Sequence, residues 1–277
     1  MFSPFGFMGT QAGGGLDPDA TAYLAAVVSA GGTTDATIDS AVNTLFVDLK
    51  AAGVYTKLIA MYPIIGGVQA SHAIDGKTPG GSYDLTYGGA WTHNTLGQVI
   101  SSNSAQYALT NYIIPAGAGA GAAQNFSCGI YVNTNTDTFS GFEIDMGVRD
   151  SAGGGNIDWR VVAGWSGTSD SRFYGGDASN DATQSPRGGA GMYVGTRTSN
   201  TIKLINNGST INSSTVTQNG SSQYSIALGG EYNGTVNQFN SSKRQTFAFI
   251  GEYLTDAEVS DLYDAVQTCQ VSLSRQA

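Results

Sequence analysis

Charge is what this chain has least of. Asp, Glu, Lys and Arg make up 12% of its 277 residues, against roughly 25% in an average globular protein. Gly, Asn, Ser and Thr must therefore cover much of the surface, as they often do on extracellular and viral β-proteins. Basic residues are the scarcer sign: 12 Lys and Arg stand against 21 Asp and Glu, a formal net charge of -9. Binding a phosphate backbone needs clustered Lys and Arg, so nucleic acid is not an expected partner.

Cysteine is nearly absent, which excludes a disulfide scaffold. Cys128 on an expected strand and Cys269 on an expected helix could pair only if those elements meet at disulfide distance. Two buried free thiols are the default expectation. Long apolar runs are missing too. The longest, residues 20–30, is well short of the roughly 20 residues a spanning helix needs, so no membrane span is expected. With Lys50 as the first lysine, there is no basic segment leading an apolar core, and no secretory leader is expected.

What is present is clearest near the C-terminus. The apolar run Thr246-Phe247-Ala248-Phe249-Ile250-Gly251 reads as a strand that leads into a capped helix. Thr255 and Glu258 have capping-box spacing, and Leu254 and Val259 occupy the positions of a hydrophobic staple. Val259, Leu262, Tyr263, Val266, Cys269 and Leu273 recur at helical spacing, so one stripe must be buried.

At the other end, residues 1–16 combine Phe2, Phe5, Phe7 and Met8 with a glycine spacer. This is either a disordered terminus or a docking tail that anchors in a groove on a partner or sister subunit. Residues 17–65 read as helical. Asp17-Pro18 starts one helix and Gly31-Gly32 ends it, a second places Ile38, Val42, Leu45 and Leu49 on one face, and a short third covers residues 55–61. Residues 66–277 then switch to period two. Phe126, Cys128, Ile130 and Val132 alternate with Ser127, Gly129 and Tyr131. Phe142, Ile144, Met146 and Val148 form a second alternating set, and Ile157, Trp159, Val161, Ala163 and Trp165 a third. Asn207-Gly208 sits between Ile202–Ile205 and Thr210-Ile211 as a hairpin turn. The expected fold is mostly β: a two-sheet antiparallel jelly-roll sandwich with a small N-terminal helical region and a C-terminal capped helix.

Two resemblances attach to these residues. The order of strand 225–232, Gly-Gly turn, apolar strand and "Leu-Thr-Asp-Ala-Glu" helix resembles the end of a concanavalin A-like (laminin-G-like) jelly roll. The run Leu49–Leu58, then Met61-Tyr62-Pro63-Ile64-Ile65-Gly66-Gly67, Ser71-His72 and Tyr87–His93, resembles bacteriophage virion structural proteins. That resemblance implies a head fibre, decoration or tail-associated protein on the particle surface. It would touch other virion proteins through its N-terminal tail, and form a homo-oligomer, with a trimer favoured. Host-surface glycans are the implied further partner, which makes a lectin-like adhesin the alternative role.

The chemistry-bearing residues point in several directions. Glucanases of the resembled fold carry Glu-x-Asp-x-(x)-Glu on one strand, and Glu143-Ile144-Asp145 matches its first part. Gly147 and Val148 stand where the second Glu would be, leaving retaining hydrolysis without its proton donor. We therefore expect no enzyme, with a glucanase-type glycosidase as the second alternative, and expect Glu143 and Asp145 to be a surface pair near Arg149. Asp137, Asp145, Asp150 and Asp158 could offer oxygens to Ca²⁺, although no EF-hand spacing gathers them. No other cofactor is expected. His72 and His93 lack metal-ligand or triad company and read as structural. Trp159 and Trp165 share parity with Ile157 and Val161, which assigns them to the core. Arg172, Phe173, Tyr174, Asp177 and Tyr193 are the expected glycan-binding set, on loops. The sequons at Asn207 and Asn219 are matches an Asn/Ser-rich chain produces by chance.

Overall fold

The structure is a computed structural model of the chain. It describes residues 15–100, 106–134, 143–150, 157–165, 170–177, 180–186, 189–217, 220–235 and 237–277. The expected docking residues Phe2, Phe5, Phe7 and Met8, and Asp137 of the calcium set, lie outside these.

Two sheets face each other. The first runs in the order Ser209–Thr215, Thr201–Asn206, Gly191–Thr198, Asn125–Val132, Gln245–Gly251, Gly97–Ile100, Trp91–Asn94. The second runs Asp181–Gln184, Asp170–Gly175, Ile157–Trp165, Met146–Asp150, Ser225–Leu228, Tyr107–Ile113, Thr86–Gly88. Neighbours along both are antiparallel, and the mostly-β sandwich expected from the alternation is what forms. The Asn207-Gly208 hairpin is also present. Both residues take positive φ, 48° and 75°, which the tight two-residue turn requires.

Each strand sorts its side chains by parity. Phe126, Cys128, Ile130 and Val132 point between the sheets, where they meet Trp159, Val161, Phe173, Ile226 and Leu228. The opposite face of the first sheet is apolar as well: Tyr131, Met192, Val194, Ile205, Phe247 and Phe249 form a second core with the helices. The layers are therefore helices, first sheet, second sheet. Cys128 and Cys269 fall in different cores and both are free thiols.

The helical layer comes from both chain ends. Pro18–Ser29 starts at Asp17, whose carboxylate accepts from the Asp19 and Ala20 amides and pairs with Lys50 of the next helix at 2.7 Å. Ala36–Ala51 starts at Asp35, which accepts from the Ile38 amide at 2.8 Å. The terminal helix, Asp256–Ser272, has its expected capping box: the Thr255 amide donates to Glu258 Oε2 at 2.9 Å, and the Glu258 amide to Thr255 Oγ1 at 3.3 Å. Val259, Leu262 and Val266 are fully buried, each stabilising by about 1.5–3 kcal/mol.

One expected element is different. Residues 55–61 are not a third helix; a single 3-10 turn, Tyr55–Lys57, gives way to a strand, Leu58–Tyr62. That strand pairs with Ala248–Gly251, the edge of Gln245–Gly251 that Gly97–Ile100 leaves open. Ala60 and Tyr62 enter the inter-sheet core while Met61 meets the helices, a period-two split that a helix could not satisfy. The strand ties the N-terminal helices into the sandwich.

Candidate functional site

Inward residues of the second sheet fix which residues face out. Because Val148, Trp159, Val161 and Phe173 point into the core, Arg149, Asp158, Arg160, Arg172 and Tyr174 occupy the outer face. Register brings them together. Arg149 lies opposite Asp158, Arg160 opposite Tyr174, and Tyr174 opposite Asp181. Gly147, opposite Arg160, carries no side chain, and the short strand Glu231–Tyr232 runs parallel beside it. The Gly229 turn, at φ 78°, delivers Glu231 to this place.

The centre of the face is a ring of four charges. Arg160 donates from Nε to Glu231 Oε2, and its Nη2 lies 2.8 Å from Asp158 Oδ2. On the other side Arg149 stands off. Its Nε is 3.7 Å from Asp158 Oδ1 and its Nη1 is 3.9 Å from Glu231 Oε1, both beyond hydrogen-bond distance. Those two outer carboxylate oxygens are buried and have no hydrogen-bond partner. Burial raises the pKa of Asp158 and of Glu231 above the ordinary carboxylate value, with Arg160 opposing the shift in each.

Aromatic and charged neighbours extend the face. The Arg160 guanidinium lies 5.2 Å from the Tyr174 ring centre. Arg172 is held by Asp170 at 3.0 Å and Asp181 at 3.1 Å, and reaches the Tyr174 hydroxyl at 3.3 Å. Burial works against the Arg172 charge, but these hydrogen bonds outweigh it and raise its pKa. Beyond Glu231, Tyr232 packs against Tyr107 at 5.6 Å and Tyr224 at 6.4 Å, all three partly exposed.

Of the expected glycan-binding residues, only Arg172 and Tyr174 meet at this face. Phe173 and Tyr193 are fully buried in strands rather than on loops: their parity points them into the inter-sheet core. Asp177 is also buried and accepts from Asn180 Nδ2 at 3.0 Å. Sequence reasoning missed Arg160, Glu231, Tyr107 and Tyr232. The parity that assigned Trp159 to the core already placed Asp158 and Arg160 opposite it, whereas Glu231 gave no local signal.

The calcium set does not converge. Asp145 accepts from the Ala163 amide, Asp150 from the Gln223 amide, and Asp158 pairs with Arg160. Among the described residues, no three His, Cys, Asp or Glu side chains are placed to hold a metal ion. Glu143 and Asp145 are not the surface pair expected. Both are fully buried, each 3.7 Å from the equally buried Lys243 Nζ, and Glu143 accepts from the Ser242 amide at 2.7 Å.

His72 and His93 do form a structural pair, Nδ1 to Nδ1 at 2.9 Å. His72 Nε2 accepts from the Gly67 amide at 3.2 Å, so His72 carries its proton on Nδ1 and donates to His93. Trp159 is buried as expected; the side chain of Trp165 lies outside those described.

No family model matches the sequence, and no curated protein does. Solved structures of similar fold include a mutant of Trypanosoma rangeli sialidase displaying trans-sialidase activity, with TM-score 0.52 and 11% identity over 81% of this chain and 39% of that one. Trypanosoma rangeli sialidase in complex with sialic acid gives 0.51 and 11%, over 80% and 38%. Domain 4 of a GH43 extracellular arabinanase from Geobacillus stearothermophilus, in complex with arabinotriose, gives 0.44 and 19%, over 74% and 98%, a likeness too slight to argue from. The chain spans 39% of the sialidase's length, and at such identity the likeness establishes the fold. These neighbours correct one expectation. Sialidases are enzymes, so the expectation of a non-enzymatic protein does not stand; the expected virion role gains no support from them.

Proposed function

We propose that the chain is a carbohydrate-binding module that takes glycans on the outer face of its second sheet. The observation that carries this is the pair of buried oxygens that accept no hydrogen bond, Asp158 Oδ1 and Glu231 Oε1. Leaving a buried acceptor unsatisfied costs about 1–3 kcal/mol, more when it is charged, and a ligand with hydroxyl donors removes that cost. Tyr232 and Tyr107 beside them provide aromatic surface with a polar edge, suited to the apolar face of a sugar ring. The sialidase likeness supports carbohydrate as the ligand class and nothing finer. A glycan array probed with the wild type and with Tyr232→Ala tests the reading. Binding that weakens in the variant supports it; an array without any binder contradicts it.

A second reading has its own observation. Two carboxyl groups share one guanidinium, and burial raises the pKa of both, the direction that a proton donor to a leaving group needs. Glycoside hydrolysis by Asp158 and Glu231 would follow, and loss of measured hydrolysis in Glu231→Gln would support it. Virion display through residues 1–16 rests on the sequence resemblance alone. Particle incorporation of a chain lacking those residues tests it.

A further inference from the structure

Resting on the glycan-binding reading, we propose that the ligand is a neutral sugar with two adjacent hydroxyls. Asp158 Oδ1 and Glu231 Oε1 each accept one of them, and the Arg149 side chain swings aside to admit the sugar.

Among the described residues, two of the three guanidinium groups of this face are already committed. Arg160 is held by Asp158 and Glu231, and Arg172 by Asp170 and Asp181. Counting Arg149, three guanidinium groups meet four carboxylates. What the site has to spare is acceptors. A sialic or uronic acid would bring another carboxylate to a face with a negative excess, and like charges repel. Hydroxyl groups bring donors, which buried carboxylate oxygens lack here.

A shared neighbour narrows the donor. Both oxygens lie against one Arg149 guanidinium, 3.7 Å from Nε and 3.9 Å from Nη1, so a group that takes its place meets both acceptors at once. Adjacent hydroxyls on a sugar ring offer two O–H donors on neighbouring carbons. Arg149 is the movable part: its side chain is 32% exposed, and its contacts at 3.7 and 3.9 Å are too long to be hydrogen bonds. Asp158 and Glu231 are 2% and 0% exposed, so Arg149 must give way before a sugar can reach them.

Calorimetric titration tests this with neutral oligosaccharides (xylo-, arabino-, manno-, galacto- and gluco-series) and acidic ones (oligogalacturonate and sialyllactose). The expected result is binding of at least one neutral series. That binding weakens tenfold or more when either adjacent hydroxyl is replaced by hydrogen, a change that leaves the protein intact. Arg149→Ala should tighten binding, because the competent state no longer waits for the arginine to move. Glu231→Gln, where it folds, should weaken it. Preference for acidic glycans, loss of binding in Arg149→Ala, or indifference to the deoxy sugars would overturn this inference while leaving glycan binding in place. Failure of every glycan would instead remove the reading on which it rests.

Discussion

Glu231 accepts a hydrogen bond from Nε of Arg160, across 71 residues of chain, and the contact is buried. It joins the strand Ile157–Trp165 to the segment that follows the Gly229 turn, and so assembles the candidate site and closes the sheet face in one interaction. Removing the cation should be costly, because it leaves Glu231 and Asp158 buried opposite each other. Arg160→Ala is expected to lose about 3–5 kcal/mol, read by urea denaturation. Arg149→Ala, at the looser and more exposed side of the same ring, should cost no more than about 1 kcal/mol.

The histidine pair makes stability depend on acid. Burial lowers the pKa of His72 to about 3, with His93 adding to the shift, and burial lowers His93 to about 4. The unfolded chain takes up protons near the ordinary histidine value of about 6.5, before the folded one does. Stability from these groups is therefore present above that value and is lost as pH falls toward the folded values. For His72 the loss approaches about 1.4 kcal/mol per pH unit, with the more open His93 adding less. The difference in unfolding free energy between wild type and His72→Asn/His93→Asn, followed from pH 7 to pH 4, should shrink with acid.

At Gly195 the two sheets approach closely. A Cβ at this position would lie 2.1 Å from ring carbons of Phe173, which belongs to the opposite sheet. Gly195→Ala should therefore cost about 1–3 kcal/mol through overpacking, visible as a lower denaturation midpoint. A neutral result would mean that the inter-sheet spacing is wider than described.

The terminal helix offers a milder test. Thr255→Ala removes the side-chain acceptor of the capping box and should destabilise by about 1 kcal/mol, with the slope of the denaturation curve unchanged.

These elements also show how far the sequence could be read. Alternation along residues 126–132 and 157–165, the capping box at Thr255 and the Asn207-Gly208 turn are local signals, and each produced the element it indicated. The strand Leu58–Tyr62 was not legible. It is short, apolar on both faces and adjacent to a helix, and its identity depends on an open sheet edge almost 190 residues later. Tyr131, Phe247 and Phe249 break the polar-out pattern for a related reason: helices from both chain ends cover that face. At the candidate site, the sequence offers Tyr174 and Arg172 as glycan-binding residues and Asp158 as a metal ligand, and gives no signal for Glu231. Its role follows from register and a glycine turn rather than from its neighbours in sequence.

Glycan binding at the outer face is most directly tested by mapping amide chemical shifts while the protein is titrated with a binding oligosaccharide. The account predicts shifts concentrated at Gly147–Arg149, Asp158–Arg160, Tyr174 and Glu231–Tyr232, where register gathers the charged ring and its tyrosines. Shifts confined to the helical layer, or none with any glycan, would contradict it.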